Sequence, residues 1–288
     1  MLKYGGCPQF NIECGTTVTR QYCHIGTRTI AYLDSHPGDG SLRTYVLLHA
    51  FPIGANLWEP QMHSIPPGWR LITPDMRGFG GSTELDSSGT LSMSDYAEDL
   101  VDLLDELGIA HAVVGGASMG GYATLAFLQA AADRVDGLVL ANTRAGADSP
   151  EARANRRNML ALLDREGPSG VAREMMPKLL GKTTHETNPE AEATVRRLIK
   201  QQSPVAVRAA IHRMMHRPDS TALLATIKVP TLVITGDEDE LIPIDESRAI
   251  ANAVPGATLL LIPRAGHLSN LEQPDPFNNA LTAFLTKL

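Results

Sequence analysis

Gly116-Ala117-Ser118-Met119-Gly120 combines residue types and a spacing that could make a serine reactive. The apolar run His111-Ala112-Val113-Val114-Gly115 precedes it and reads as a buried strand. Tyr122–Ala132 follows and reads as a helix. A serine at a tight strand-to-helix turn, with glycine two residues to either side, is the pattern of a nucleophile elbow. Such a turn holds the serine in a strained backbone conformation, and side chains at 116 and 120 would collide with neighbouring backbone. The strain lifts the hydroxyl above the sheet, where a base can reach it. The five residues alone describe many glycine-rich turns, so the flanking strand and helix carry the chemical reading.

An elbow serine is inert without a base and a group that orients the base. Arg264-Ala265-Gly266-His267 follows the last apolar strand, Thr258–Ile262, so its loop belongs at the carboxyl edge of the sheet, with Ser118. Of nine histidines, His267 is the one placed directly after a C-terminal core strand, and it is the candidate general base. Gly236-Asp237-Glu238-Asp239 follows Leu232–Thr235 at the same edge. A carboxylate there can accept the other imidazole N–H and stabilise the imidazolium. Asp237, Glu238, Asp239 and Glu240 are all candidates, and spacing does not choose among them. His49-Ala50-Phe51-Pro52 follows the strand Val46–Leu48. The backbone amides of Phe51 and Met119 are the candidate donors to a developing oxyanion, each such donor being worth about 10²–10³ in turnover. The His49 side chain reads as a buried structural histidine.

A parallel sheet would bring these loops to one edge. Tyr22–Ile25 and Thr29–Asp34 read as short strands, and Tyr45–Leu48, Arg70–Thr73, Val135–Ala141 and Pro230–Thr235 as further strands. A helix over 95–107, with Ser94 as N-cap and Gly108 as its stop, would bury Leu100, Val101, Leu103, Leu104 and Leu107. It would turn Glu98, Asp99, Asp102, Asp105 and Glu106 to water. From 146 to 226 no strand-like run occurs. Helical stretches appear around 151–165, 169–180, 190–202 and 204–216, broken at Gly167-Pro168, Gly181 and Ser203-Pro204. Further helices are expected over 244–253 and 274–286. The alternation predicts an α/β fold: a mostly parallel central sheet flanked by helices, with an inserted all-helical cap. The expected division is an N-terminal arm over 1–21, a core over 22–145 and 227–288, and a cap over 146–226.

The 288 residues are 43% hydrophobic and 20% charged, ordinary for a globular chain. A net charge of −7, 5% aromatics and no recognition motif argue against a nucleic-acid partner. Residues 1–20 lack the apolar core of a secretory signal, and no run spans a membrane, so a cytoplasmic protein is expected. Cys7, Cys14 and Cys23 are odd in number and fit no zinc spacing. They read as reduced thiols of the arm, with an intermolecular disulfide as the alternative. The cap stretch holds 13 Lys+Arg against 9 Asp+Glu, whereas the rest holds 12 against 23. A basic lid would favour an anionic substrate, and solvated faces such as Arg156-Arg157 are the plainer account.

With these residues in view, the chain resembles the cap-bearing esterase and lactonase group of α/β-hydrolases over nearly all of 27–288, including enzymes of the 3-oxoadipate enol-lactonase type. Nucleophile, acid and base occur in the family order as Ser118, Asp239 and His267. The resemblance selects Asp239, three residues after the strand-ending Gly236 and ahead of Pro243. It leaves Asp148, after the sixth strand, as an alternative acid position. Asp75-Met76-Arg77-Gly78-Phe79-Gly80-Gly81-Ser82 resembles the family's Asp-x-Arg-Gly-x-Gly-x-Ser loop, which implies a structural Arg77 and a Ser82 near the pocket. His49-Ala50 departs from the usual His-Gly. The resemblance implies acyl transfer from a small ester or lactone to Ser118, with no cofactor and no metal. It also implies three rival readings: a C–C bond hydrolase acting on a vinylogous diketone, a cofactor-free perhydrolase, and a non-enzymatic ligand receptor that keeps the three residues. Serine at the elbow excludes the dehalogenase and epoxide hydrolase routes, which need an aspartate there.

Overall fold

A computed structural model describes residues 18–83 and 91–288. Its strands are β1 (Arg20–Ile25), β2 (Arg28–Asp34), β3 (Arg43–Leu48), β4 (Trp69–Pro74), β5 (Ala112–Ala117), β6 (Val135–Ala141), β7 (Thr231–Gly236) and β8 (Thr258–Ile262). They form one eight-stranded sheet in the order β1-β2-β4-β3-β5-β6-β7-β8. β2 runs antiparallel to both β1 and β4, and every other pairing is parallel. The carboxyl ends of β3, β5, β6, β7 and β8 therefore share one edge, the edge where an open α/β sheet carries its site.

The central strands are apolar throughout because both faces are covered. Alternate residues point to opposite faces. Val46, Leu48, Val114, Leu138, Leu140 and Val233 pack with the helices Ser94–Glu106 and Met119–Ala130. Tyr45, Leu47, Val113, Val139, Leu232 and Ile234 pack on the other face with Trp58 and the C-terminal helix Pro274–Leu285.

Between β6 and β7 the elements are helical only: Pro150–Leu179, Lys182–Thr187, Pro189–Lys200, Pro204–Met215 and the single turn Thr221–Leu224. Three of these start alike. Ser149, Asn188 and Ser203 accept a hydrogen bond from the first turn of the helix they precede, and proline occupies N1 in each. The break expected at Gly167-Pro168 is a single non-helical residue, Gly167, at φ +63° and ψ −165°.

Two details differ from expectation. Ser94 is the first helical residue rather than the cap, and its hydroxyl bonds Ser92 Oγ. Asp99 does not face water. It is buried, and Arg77 grips it through Nε (2.8 Å) and Nη2 (2.6 Å), with Arg28 a further partner. The helical pattern put Asp99 on the polar face, but the 77–82 loop lies against that face. Arg77 is thus structural, as the motif implied. Ser82 is tied into the same loop, its Oγ donating to Asp75 O and accepting from Ala31 N.

The arm expected over 1–21 lies largely outside the described residues, as do Cys7 and Cys14, whereas Arg20 and Gln21 already belong to β1. Cys23 is a free thiol in β1, paired with Ile30 of β2 and packed against the core. No helix among the described residues is long and apolar enough to cross a membrane.

Candidate active site

β5 ends at Ala117 and the helix Met119–Ala130 starts immediately after Ser118, which holds φ +53° and ψ −112°. Holding a non-glycine residue there costs about 1–3 kcal/mol. The surroundings offset that cost. Ser118 N–H donates to Ala141 O at 2.9 Å, and Ser118 O accepts from Thr143 Oγ1 at 2.8 Å and from Gly121 N–H at 2.9 Å. The glycines behave as the motif requires. A Cβ at Gly116 would press into the backbone of Gly120, and one at Gly120 would overlap the Leu48 carbonyl. Gly120→Ala is therefore expected to cost about 1–3 kcal/mol, the usual range for overpacking. A urea unfolding series should show a lower midpoint at unchanged m-value.

Of the acids in the loop after β7, the structure brings Asp239 to His267. The imidazole Nδ1–H donates to Asp239 Oδ2 at 2.9 Å, with Oδ1 at 3.1 Å. The two side chains are 0% and 2% exposed. Asp239 Oδ1 also accepts the Leu241 and Ile242 amides at 2.9 Å each, and Oδ2 accepts Asn142 Nδ2 at 2.9 Å. Burial alone would raise this carboxyl. His267, with the Asn142 and Ile242 hydrogen bonds, outweighs burial and holds it below the usual carboxylate range. With Nδ1–H committed to a carboxylate, the neutral ring keeps Nε2 as an acceptor.

The other acids have separate tasks. Asp237 accepts the Arg264 amide at 2.6 Å, Glu238 binds Thr183, and Glu240 is exposed. Asp148, the alternative acid, pairs with Arg217 Nη1 (2.6 Å) and Arg156 Nε (3.1 Å). Burial pushes the Asp148 carboxyl up, and these two guanidiniums outweigh burial and keep it low.

Among the described residues, no hydrogen bond joins the Ser118 hydroxyl to His267. Both loops are instead tied to the exit of β6: Ala141 and Thr143 hold the Ser118 peptide, and Asn142 between them holds Asp239, the partner of His267. Hydrogen bonds of this kind are commonly long in unliganded sites and tighten around a substrate. Sequence reasoning missed Asn142. Its Nδ2 also donates to Gly266 O (3.1 Å), and its Oδ1 accepts from Ser269 Oγ (2.6 Å). An asparagine directly after a core strand, tolerant of the left-handed φ +46° seen here, was the available signal.

Phe51 and Met119 are both buried, and among the described residues neither backbone N–H meets a protein acceptor. Buried amides almost always have partners, so this pair of donors can receive a ligand oxygen. His49 is structural: fully buried, it accepts from Met76 N–H at Nε2 (3.0 Å) and donates from Nδ1 to Ala50 O (3.1 Å). Burial pushes its pKa down to about 4, so it stays neutral. No group of three His, Cys, Asp or Glu among the described residues is arranged to hold a metal ion.

A family profile described as alpha/beta hydrolase fold matches residues 45–274. A malate-bound thermophilic esterase from Thermogutta terrifontis superposes with a TM-score of 0.86 at 38% identity, over 93% of this chain and 98% of that one. An enol-lactonase from Burkholderia xenovorans LB400 gives 0.84 at 27% identity, over 92% and 100%. A putative carbamate hydrolase, RutD, from Caulobacter sp. (strain K31) is 33% identical over 270 residues, 91% of this chain and 97% of its own length.

Proposed function

Because the chain belongs to the alpha/beta hydrolase fold family, we propose that it is a serine hydrolase that cleaves a small carboxylic ester or lactone through an acyl-enzyme on Ser118. One observation carries this reading. The imidazole of His267 donates to a buried carboxylate whose other contacts are all hydrogen-bond donors, on the sheet edge that also carries the elbow serine. His267 Nε2 takes the proton as Ser118 Oγ attacks the carbonyl, and Asp239 stabilises the imidazolium. The Phe51 and Met119 amides receive the oxyanion. His267 then protonates the leaving alkoxide and later activates the water that releases the acid. The similarity to an esterase and to an enol-lactonase supports the substrate class.

The helices over 146–226 form the cap above this site. Part of their basic charge is held in ion pairs. Arg213 pairs with Asp95, Arg217 and Arg156 with Asp148, Arg196 with Glu192 and Arg173 with Glu166.

The test is a panel of p-nitrophenyl esters of graded acyl length beside simple lactones, with a fluorophosphonate label followed by peptide mass spectrometry. Sustained turnover and stoichiometric labelling at Ser118 are expected. Tight ligand retention after a single slow turnover would instead favour a receptor, and an unlabelled Ser118 would overturn the proposal.

A further inference from the structure

Two carboxylates that take no part in the proposed chemistry, the buried Glu272 and the half-buried Glu238, tie the acid and base loops to the same piece of the helical block. The chain leaves the long helical run Pro150–Leu179, passes Gly181 and enters the short helix Lys182–Thr187. Glu272 Oε2 accepts the Gly181 amide (2.7 Å) and the Thr184 hydroxyl (2.6 Å), while its Oε1 accepts the amide of Leu268, next to His267 (3.1 Å). Glu238, next to Asp239, accepts the Thr183 amide (2.7 Å) and hydroxyl (2.6 Å), and its own amide donates to Ala265 O (2.8 Å). On the other side of His267, Gly266 packs so closely on Gly181 that a Cβ built on Gly181 would lie 2.8 Å from the Gly266 nitrogen.

The base is thus bracketed. Gly266 before it rests on Gly181, and Leu268 after it is tied to Gly181 and Thr184 through one carboxylate. Glu272 is 5% exposed, and its hydrogen bonds come from two amides of neutral residues and one hydroxyl rather than from a cation. A carboxylate in such a place is costly unless every lone pair is used, and burial pushes its pKa up from the usual glutamate value. A side chain serving only to fill space would be apolar there. We propose that Glu272 is a positioning residue for His267, and that through it the seating of Gly181–Thr184 sets the orientation of the imidazole. The proposal rests on the serine-hydrolase reading above. It makes the helical block, at this one junction, part of the rigid frame of the site. A misplacement of about 1 Å in such a frame is enough to cost about 10² in rate.

The experiment compares Glu272→Gln with Thr184→Val. The first keeps the shape and removes one acceptor. The second deletes a hydroxyl that lies on the helical block and touches neither catalytic loop except through Glu272. Turnover of a short p-nitrophenyl ester is measured beside the low-field proton resonance of the His267 Nδ1–H, identified by its loss in Asp239→Asn. Glu272→Gln is expected to lower kcat by about 10²-fold with KM within about twofold. Thr184→Val is expected to lower it about fivefold, the scale of one neutral hydrogen bond. Both should move or broaden the resonance. If Glu272→Gln does not fold, Thr184→Val alone decides. Folded variants with wild-type kcat and an unmoved resonance overturn the proposal, as does a loss that vanishes once corrected for the folded fraction. Should the wild-type protein turn over no ester, the hydrolase reading falls, while the resonance still reports whether Glu272 orients His267.

Discussion

Ser118→Ala is expected to lower kcat by about 10⁴-fold or more on any ester the wild-type protein hydrolyses, with KM little changed. The substitution removes one oxygen and leaves the backbone that orients it. The φ of +53° is held by Ala141 O, Thr143 Oγ1 and the Gly121 amide, none of which touches the hydroxyl. Thermal unfolding should therefore be nearly unchanged, and lost activity cannot be assigned to lost structure. The residual rate would measure what substrate binding and the Phe51 and Met119 amides achieve without a nucleophile. Retention of activity within about tenfold of wild type would mean that the reaction does not pass through this serine.

The second large effect separates two aspartates. Asp239→Asn is expected to lower kcat by about 10⁴-fold. The amide cannot serve as the doubly accepting partner of Nδ1–H, so the tautomer that leaves Nε2 free is lost. Asp239 also accepts the Leu241 and Ile242 amides, and asparagine keeps one oxygen for them, so the fold should survive. Asp148→Ala should do the opposite. Its carboxylate sits between Arg217 and Arg156, with the Arg217 side chain 3% exposed. Removing it leaves a buried guanidinium uncompensated, at a cost of about 3 kcal/mol or more, while activity per folded molecule stays within about tenfold. Kinetics corrected by an unfolding curve distinguish the two losses. An active Asp239→Asn beside an inactive Asp148→Ala would assign the acid to the β6 exit instead.

The contrast between these aspartates marks where sequence reading stops. Strand and helix periodicity place Asp237 to Glu240 in one loop after β7, and family resemblance prefers Asp239. Only the folded chain shows that Asp237 turns to the Arg264 amide and Glu238 to Thr183, whereas Asp239 reaches His267. Adjacent loop residues diverge by a single φ/ψ choice, which no apolar pattern records. Asp99 failed for a related reason. Helical periodicity assigns a face but does not know what will lie against it, and here the Arg77 loop does.

Local rules operate over a few residues, and they sufficed for much of this protein. Alternating apolar strands, Ser-Pro and Asn-Pro helix starts, the Gly167 break and the glycines beside Ser118 are all written in short stretches of chain, because backbone sterics and burial on two faces act locally. Apart from Leu268 and Arg156, the side-chain hydrogen-bond partners of Asn142, Glu238, Glu272 and Asp148 lie from 55 to 127 residues away. Those pairings depend on where the parallel crossovers and the inserted helices set each loop down, so only tertiary structure could decide which buried carboxylate orients the imidazole and which merely neutralises an arginine.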